Sequence, residues 1–385
     1  MRLRTLLPFV LTVSLGVATC QGPTPSQSPA AIRPGARAVT LVLFEGTGEF
    51  KPVTIRFLTE AGRESGHLTF PPATLVWAAG AGRVFIETSD HVLKVLDRDG
   101  ATEVLDPHGS SVVVARGGAR WAWMSSSSDQ GFDTLIKVAS DGVAPRVVYR
   151  HDNLHPPGQP FAPPLPLAWT ATGIYVSTIP KFSIGYWPFA SYSSNAGNPL
   201  NIGTMFVVNP ATGESTALPL QHDCMVMDVS DSGVIACWPL GPPNALNTNP
   251  TLRLVFPGGR VTNLRLPTPR FNGIGDAFFS PDGAQLTVAG ATLVAINLSG
   301  RPHKPQPEEY GVDLVRVSDM SIRPFGPFGT RVAMGEESWL PDGNLVLWRP
   351  SGAAGGGPGL YVVDPSGSGK GRLIPTSAYP IGYLW

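Results

Sequence analysis

Short apolar stretches recur along most of the chain, and they are rich in Val, Ile, Leu, Phe and Trp. Clusters of Gly, Pro, Asp, Asn and Ser separate them. Apolar runs of this length, bounded by turn-forming residues, are typical of β-strands. No segment keeps the 3.6-residue period of an amphipathic helix. The pattern therefore predicts an all-β protein.

The strands form a repeated unit, in which an apolar strand, a turn with glycine and a second apolar strand follow one another. The unit is clearest in AFFSPDGAQLTVAG at 277–290 and in SWLPDGNLVLWRP at 338–350. Looser copies surround Gly82, Gly118, Gly173 and Gly233. In such a turn Pro sets the first corner, Asp bonds the local backbone and Gly accepts a positive φ, so Asp282 and Asp342 are expected to be structural. A third and a fourth strand usually follow, which makes each unit a four-stranded antiparallel meander.

The spacing of these units indicates the fold. The six first-turn glycines, from Gly82 to Gly343, lie 36 to 60 residues apart, and a four-strand repeat of this length is typical of a β-propeller blade. The SPDG and LPDG units resemble the WD40-like repeat of TolB-type β-propellers, and the repeats span most of the chain. This resemblance implies a ring of blades around a central channel.

The two ends of the chain complement each other. Residues 39–70 contain three strands without a first strand, and the chain ends in SAYPIGYLW, where Trp385 takes the aromatic position of a first strand. A blade built from both termini would close the ring and remove exposed sheet edges. We expect seven blades, with six as the alternative because residues 290–330 divide poorly into strands.

The N-terminal segment is typical of an export signal. Two arginines precede a 13-residue apolar run that ends at Ala18, and this run is shorter than the about 20 residues that span a bilayer. The sequence VATC at 17–20 resembles the bacterial lipobox, which implies acylation of Cys20. Ordinary cleavage after Ala18 and an uncleaved anchor are the alternatives. The chain divides into a signal peptide at 1–19, a polar Pro-rich linker carrying the lipid at 20–38 and the propeller at 39–385.

Export permits disulfides, and Cys224 and Cys237 are spaced for one. The segment CMVMDVSDSGVIAC indicates strand, turn and strand, with the turn at Ser230-Asp231. In a symmetric hairpin the two cysteines would then lie directly opposite each other, with Cβ atoms about 4.5–5.5 Å apart, close to disulfide distance. Two buried free thiols are the alternative. The spacing is not that of a metal site.

Composition excludes two classes of protein. Gly and Pro number 44 and 40, or 84 of 385 residues, which long helices do not tolerate. Lys+Arg and Asp+Glu are equal at 28 each, and without the two signal arginines the chain has 26 basic and 28 acidic side chains. This balance gives no excess of positive charge that would attract nucleic acid.

Candidate binding residues lie in the longest connections, which is where function is commonly placed on a rigid scaffold. The insertion at 181–203 contains four aromatic residues suited to a binding hot spot or to stacking on sugars: Tyr186, Trp187, Phe189 and Tyr192. The inter-blade segment at 151–166 contains His151 and His155. The alternative for the insertion is that it packs its own aromatic residues over the blade. The alternative for the two histidines is a solvated loop. Further insertions are expected at 240–250, 299–309 and 351–359.

No catalytic residue is assigned, because the chain lacks a GxSxG elbow, a P-loop, a GxGxxG fingerprint and an HExxH motif. We expect an exported protein, lipid-anchored in the cell envelope or alternatively secreted, that acts as a binding module. Its partner would be another envelope or extracellular protein or a glycan-like ligand, bound by a monomeric domain without cofactor or metal. The alternatives are a propeller lyase or lactonase-like hydrolase with a site in the central channel, and a structural envelope component.

Overall fold

The computed structural model describes most of the chain from residue 39 onwards. The described residues are 39–45, 51–72, 74–80, 82–97, 100–116, 118–126, 133–152, 163–177, 205–218, 224–239, 251–267, 273–294, 306–325, 339–349, 359–366 and 371–384. All regular elements within them are β-strands, so the predicted all-β class is confirmed. No helix among these residues is long and apolar enough to cross a membrane.

The strands are numbered in chain order. They are β1 Thr40–Glu45, β2 Val53–Thr59, β3 Glu64–Phe70, β4 Leu75–Gly80, β5 Arg83–Glu87, β6 Leu93–Asp97, β7 Thr102–Asp106, β8 Gly109–Val114, β9 Arg120–Ser126, β10 Asp133–Ser140, β11 Val143–Asp152, β12 Leu165–Thr170, β13 Gly173–Ser177, β14 Met205–Val208, β15 Ser215–Ala217, β16 Cys224–Val229, β17 Ile235–Pro239, β18 Thr251–Val255, β19 Val261–Arg265, β20 Gly273–Phe279, β21 Gln285–Val294, β22 Gln306–Arg316, β23 Ile322–Phe325, β24 Leu345–Arg349, β25 Gly359–Val363, β26 Arg372–Pro375 and β27 Tyr379–Leu384.

Hydrogen bonding groups the strands into antiparallel units of four, here called blades. Blade 2 is β4–β7, blade 3 is β8–β11, blade 4 is β12–β15, blade 5 is β16–β19 and blade 6 is β20–β23. Blade 7 is β24–β26 together with Trp339, which forms an isolated antiparallel bridge to Leu345 where the other blades have their first strand. Successive first strands contact one another from β27 through β4, β8, β12 and β16 to β20, and the axis of the ring beside them is here called the channel.

Blade 1 combines the two ends of the chain. Its strand order is β27, β1, β2, β3, and β27 pairs antiparallel with β1 from Thr40↔Leu384 to Phe44↔Tyr379. A single parallel pair, Gly382↔Ala79, links it to blade 2. The C-terminal strand thus stands first and the three N-terminal strands follow, in the order that the sequence predicts. This order is compatible with seven blades and with closure by both termini.

The core lies between the blades rather than in one central mass. Seven clusters of buried apolar side chains each join two neighbouring blades. The cluster between blades 7 and 1 contains Leu340 and Leu41, and the cluster between blades 1 and 2 contains Val42 and Val84. Each large aliphatic side chain that becomes fully buried contributes about 1.5–3 kcal/mol. Each blade is therefore packed against a neighbouring blade on both of its faces.

The first turns have the geometry that their sequences predict. All six first-turn glycines have positive φ. Gly173, at φ 142°, has a second constraint, because a Cβ there would lie 2.6 Å from Val207 Cγ1. Asp282 accepts a hydrogen bond from the Ala284 amide at 3.0 Å, and Asp342 accepts one from the Asn344 amide at 2.9 Å. Both aspartates therefore fix turns, as expected.

The region 290–330 corrects part of the sequence interpretation. It contains the end of β21 and the whole of β22, which are two long paired strands, followed by β23, all within blade 6. Residues 306–309, expected within an insertion at 299–309, belong to β22. Their pairing extends from Gln285↔Arg316 to Val294↔Gln306. The poor match to the repeat thus reflects a lengthened second and third strand.

Candidate functional site

Two sides of the ring differ in their connections. The turns between first and second strands and between third and fourth strands define the first-turn side; the remaining connections define the long-connection side. Six connections of nine or more residues begin and end on the long-connection side: 153–164, 178–204, 240–250, 295–305, 326–338 and 350–358. The chain enters β1 on the first-turn side, at Thr40.

Arg116 crosses the channel at its first-turn end. It lies in the first turn of blade 3, and its Nη2 donates to Asp228 Oδ2 at 3.0 Å and to the Val229 carbonyl at 3.1 Å, both in blade 5. Its Nη1 donates to the Ser280 carbonyl of blade 6 at 3.0 Å. Blade 3 adjoins neither blade 5 nor blade 6 in the ring. The guanidinium therefore bridges blades on different sides of the axis.

Asp228 is held in place by this bridge. Its Oδ2 also accepts a hydrogen bond from the Phe279 amide at 2.7 Å, and its side chain is only 12% exposed. A carboxylate with these two donors is well compensated for its burial. The charges of Arg116 and Asp228 therefore neutralise each other inside the molecule.

Asp231 lies beside this pair in the first turn of blade 5. Burial raises the pKa of its carboxyl; Arg116 and Arg120 lower it to a smaller extent, and Asp228 raises it further. No side-chain hydrogen bond to Asp231 occurs among the described residues. Arg120 is placed over the Trp169 ring, 5.0 Å from its centroid. The first-turn end thus combines two guanidinium groups and two carboxyl groups.

The sequence interpretation missed this cluster. Arg116 occupies the first-corner position of the turn, where the SPDG and LPDG units have proline. Asp228 lies five residues before Gly233, on the first strand of blade 5. An arginine in RGG where the repeat has PDG was the available signal. Its partners in blades 5 and 6 are 112 and 164 residues away, which no local pattern indicates.

Cys224 and Cys237 form a disulfide, with Cα atoms 5.7 Å apart. The expected register was wrong, however, because the two cysteines are not directly opposite each other on the two strands. Cys224 pairs with Pro239 and Val226 pairs with Cys237, so the cysteines are diagonal neighbours. The turn spans Ser230 to Val234 rather than the two residues expected, which moves the pairing three positions along β17, and a bulge between Val226 and Asp228 moves it one position back.

Of the remaining predicted site residues, the structure describes only His151. His151 was expected in a loop but lies at the end of β11, paired with Thr134, and its ring stacks on Tyr149 with centroids 6.5 Å apart. The other predictions lie outside the described residues: Cys20, His155, Tyr186, Trp187, Phe189 and Tyr192. The predictions for the His151–His155 pair and for the four aromatic residues therefore stay untested. Among the described residues, no group of three or more His, Cys, Asp or Glu side chains is arranged to hold a metal ion.

Comparison with solved structures identifies the fold. The β-propeller domain of the trilobed protease from Pyrococcus furiosus matches with a TM-score of 0.53 and 12% identity, over 89% of this chain and 95% of that one. The acylaminoacyl peptidase of Pyrococcus horikoshii matches with a TM-score of 0.51 and 14% identity, over 89% of this chain and 51% of that one. The chain has a β-propeller fold.

A further similarity is to TolB from Acinetobacter baumannii, with a TM-score of 0.41 and 12% identity over 89% of this chain and 81% of that one. No protein-family model and no curated protein matches the sequence. At these identities the likeness concerns the fold alone.

Proposed function

We propose that this chain is an extracytoplasmic, lipid-anchored β-propeller that binds another envelope protein or a glycan-like ligand on its long-connection side. One observation carries the proposal: all six connections of nine or more residues begin and end on that side. A rigid ring that presents variable segments from one side is a common basis for recognition. The aromatic residues of segment 178–204 are the expected contacts. Acylation of Cys20 would hold the module at a membrane.

The test removes one connection without disturbing the blade. Because Ser177 and Met205 are paired across β13 and β14, replacing residues 179–203 by Asn-Gly leaves a short hairpin connection. The matched control replaces residues 367–370, on the first-turn side, by two glycines. We expect affinity capture from the organism's own membranes to recover a ligand with the mature chain and with the control, but not with the shortened variant. Equal recovery by all three proteins would contradict the proposal.

The lipid anchor is tested separately. A Cys20→Ala chain should leave the membrane fraction and appear in the soluble fraction, while an alanine replacement of Thr19 should not have this effect. A Cys20→Ala protein that still fractionates with membranes excludes acylation at this residue.

A propeller enzyme is the second candidate, and Asp231 is the observation that favours it. A partly buried carboxyl group with a raised pKa, next to an arginine at a channel mouth, is a typical candidate for proton transfer. Turnover of a lactone or a uronate oligosaccharide that is lost in Asp231→Asn, with folding retained, would support this function. Turnover unchanged in Asp231→Asn would exclude Asp231 from it.

A further inference from the structure

A second polar cluster lies on the long-connection side of blade 2. Glu87 ends β5 and is only 6% exposed. Its Oε2 accepts a hydrogen bond from Trp77 Nε1 at 2.9 Å, and its Oε1 lies 2.9 Å from His91 Nδ1. One buried carboxyl group thus joins an indole on the first strand to a histidine in the connection between β5 and β6.

This arrangement determines which nitrogen of His91 is available. An ionised carboxylate only accepts hydrogen bonds, so His91 donates from Nδ1 to Glu87. In the neutral ring Nε2 then carries the lone pair. The His91 side chain is 84% exposed, and within the described part of the chain Nε2 has no partner. The cluster therefore presents one oriented hydrogen-bond acceptor, His91 Nε2, to solvent.

The backbone holds His91 in an uncommon conformation. Its φ is +60°, one of three positive values among the described non-glycine residues, and its amide donates to the Thr88 carbonyl at 2.8 Å. A left-handed conformation is unfavourable for a non-glycine residue, because its Cβ comes too close to the following carbonyl oxygen. Retained strain of this kind is often associated with functional sites. Here the strained turn is the one that brings Nδ1 to Glu87.

An exposed apolar residue is the cross-strand neighbour of the glutamate that orients this acceptor. Leu75 is the cross-strand partner of Glu87 and begins β4, the innermost strand of blade 2, at the channel rim. It is 50% exposed, whereas most large apolar side chains of the blades are buried. A fixed hydrogen-bond acceptor and an exposed apolar side chain that both adjoin Glu87 suit a ligand that has hydroxyl groups on an otherwise apolar ring.

We propose that His91 and Leu75 form a binding site for a carbohydrate, in which a sugar hydroxyl donates to His91 Nε2 and the apolar ring face lies against Leu75. Glu87 and Trp77 act as positioning residues, because they orient His91 without touching the ligand. The inference rests on the proposed binding function of the long-connection side and specifies its ligand class.

The first experiment tests the histidine itself. In the full mature chain with ¹⁵N-labelled histidine, a long-range ¹H–¹⁵N spectrum should show the His91 proton on Nδ1 at neutral pH. In Glu87→Gln the amide has one acceptor oxygen for two donors, Trp77 and His91, so this tautomer should lose its preference. A His91 proton that resides on Nε2 in the unaltered chain would overturn the proposal.

The second experiment measures binding to a panel of hexasaccharides with different linkages, including chitohexaose, cellohexaose and maltohexaose. At least one should shift the His91 resonance saturably, and His91→Ala should weaken its binding at least tenfold. His67→Ala is the matched control, because His67 also contacts a glutamate, Glu64, but on the outermost strand β3 and with that glutamate 39% exposed. Its affinity should equal that of the unaltered chain.

Two results separate this inference from the proposed function. If no oligosaccharide shifts the His91 resonance while membrane capture still depends on segment 178–204, the carbohydrate site is excluded and the binding function stands. A captured protein whose recovery is lost in His91→Ala, without any sugar binding, likewise excludes a carbohydrate as the ligand. If capture does not depend on segment 178–204, the proposed function fails, whatever the tautomer of His91.

Discussion

Two buried aspartates in the blades have opposite electrostatic environments. Asp313, on β22, is 1% exposed, and neither carboxyl oxygen has a hydrogen-bond partner in the described part of the chain. Burial raises its pKa to about 6. Asp106, at 2% exposure, is also disfavoured by burial, but hydrogen bonds from Lys137 and Trp123 outweigh this and lower its pKa. The same residue type thus destabilises one blade interior and stabilises another.

Replacing Asp313 should change how stability depends on pH. The folded state keeps the Asp313 proton up to about pH 6, whereas the unfolded chain releases it near 3.8. Stability therefore falls as pH rises through this window, by about 3 kcal/mol in total. We expect Asp313→Asn to gain stability relative to the unaltered chain between pH 4 and pH 7, measured by urea unfolding.

Asp106→Asn is the control with the opposite sign. The lowered pKa of Asp106 contributes stability that is present above the unfolded pKa and is lost as pH falls through the folded one. This variant should therefore be less stable than the unaltered chain at pH 7, and the difference should shrink in acid. Parallel pH profiles for Asp313→Asn and the unaltered chain would show that Asp313 does not titrate as described.

At the scale of elements, the β16–β17 hairpin shows how the length of a turn sets the register of a strand pair. Residues Ser230 to Val234 form the turn, with the Ser230 amide donating to the Val234 carbonyl at 2.9 Å. With the bulge, this turn places Cys224 opposite Pro239 rather than opposite Cys237. The disulfide therefore joins diagonal positions of the first two strands of blade 5, within the apolar cluster shared with blade 4.

Removal of this disulfide should destabilise the propeller. The two cysteines are 13 residues apart, and closing a loop of about 15 residues contributes about 3 kcal/mol. We expect Cys224→Ala/Cys237→Ala to lose approximately this amount in urea unfolding under oxidising conditions. A reducing agent should lower the stability of the unaltered chain but leave the double variant unchanged. Two free thiols in the exported protein, detected by mass spectrometry after alkylation, would contradict the pairing.

At the scale of the whole molecule, the ring is held by contacts between blades. Apolar clusters join each pair of neighbours, including blades 7 and 1, and Arg116 adds polar contacts across the axis between blades 3, 5 and 6. Glu45 on β1 accepts a hydrogen bond from Ser377, just before β27, at 2.9 Å, which also ties the two chain ends together. Hydrogen bonds to Ser377 and Arg56 lower the pKa of Glu45.

Arg116→Ala should weaken the whole ring. It removes three hydrogen bonds and leaves the charge of Asp228, 12% exposed, without its ionic partner. We expect a loss of about 2 kcal/mol in the free energy of unfolding, in the range for hydrogen bonds to charged groups. Arg316→Ala is the control, because its pair with Asp319 is 65% and 51% exposed and should contribute less than about 1 kcal/mol. Equal losses of unfolding free energy in both variants would show that the Arg116 bridge stabilises the protein no more than an exposed ion pair does.

The sequence by itself determined the strands, the turns and the blade built from both termini. These features depend on local chemistry, since alternating apolar runs form strands and the Pro, Asp and Gly of SPDG and LPDG form turns with the geometry seen at Gly283 and Gly343. The repeat then places each strand in its blade, and Trp339 takes the inner position that its unit predicts.

Only the tertiary structure decided the register of Cys224 and Cys237, the bridge from Arg116 to Asp228 and the partners of Glu87. The turn at Ser230–Val234 is longer than expected and a bulge precedes it, and neither carries a distinct sequence pattern. The bridge joins side chains 112 positions apart. Such contacts depend on where the closed ring brings distant blades together. Strand and turn propensities act over a few residues, so they fix each blade but not the side chains that meet across the channel.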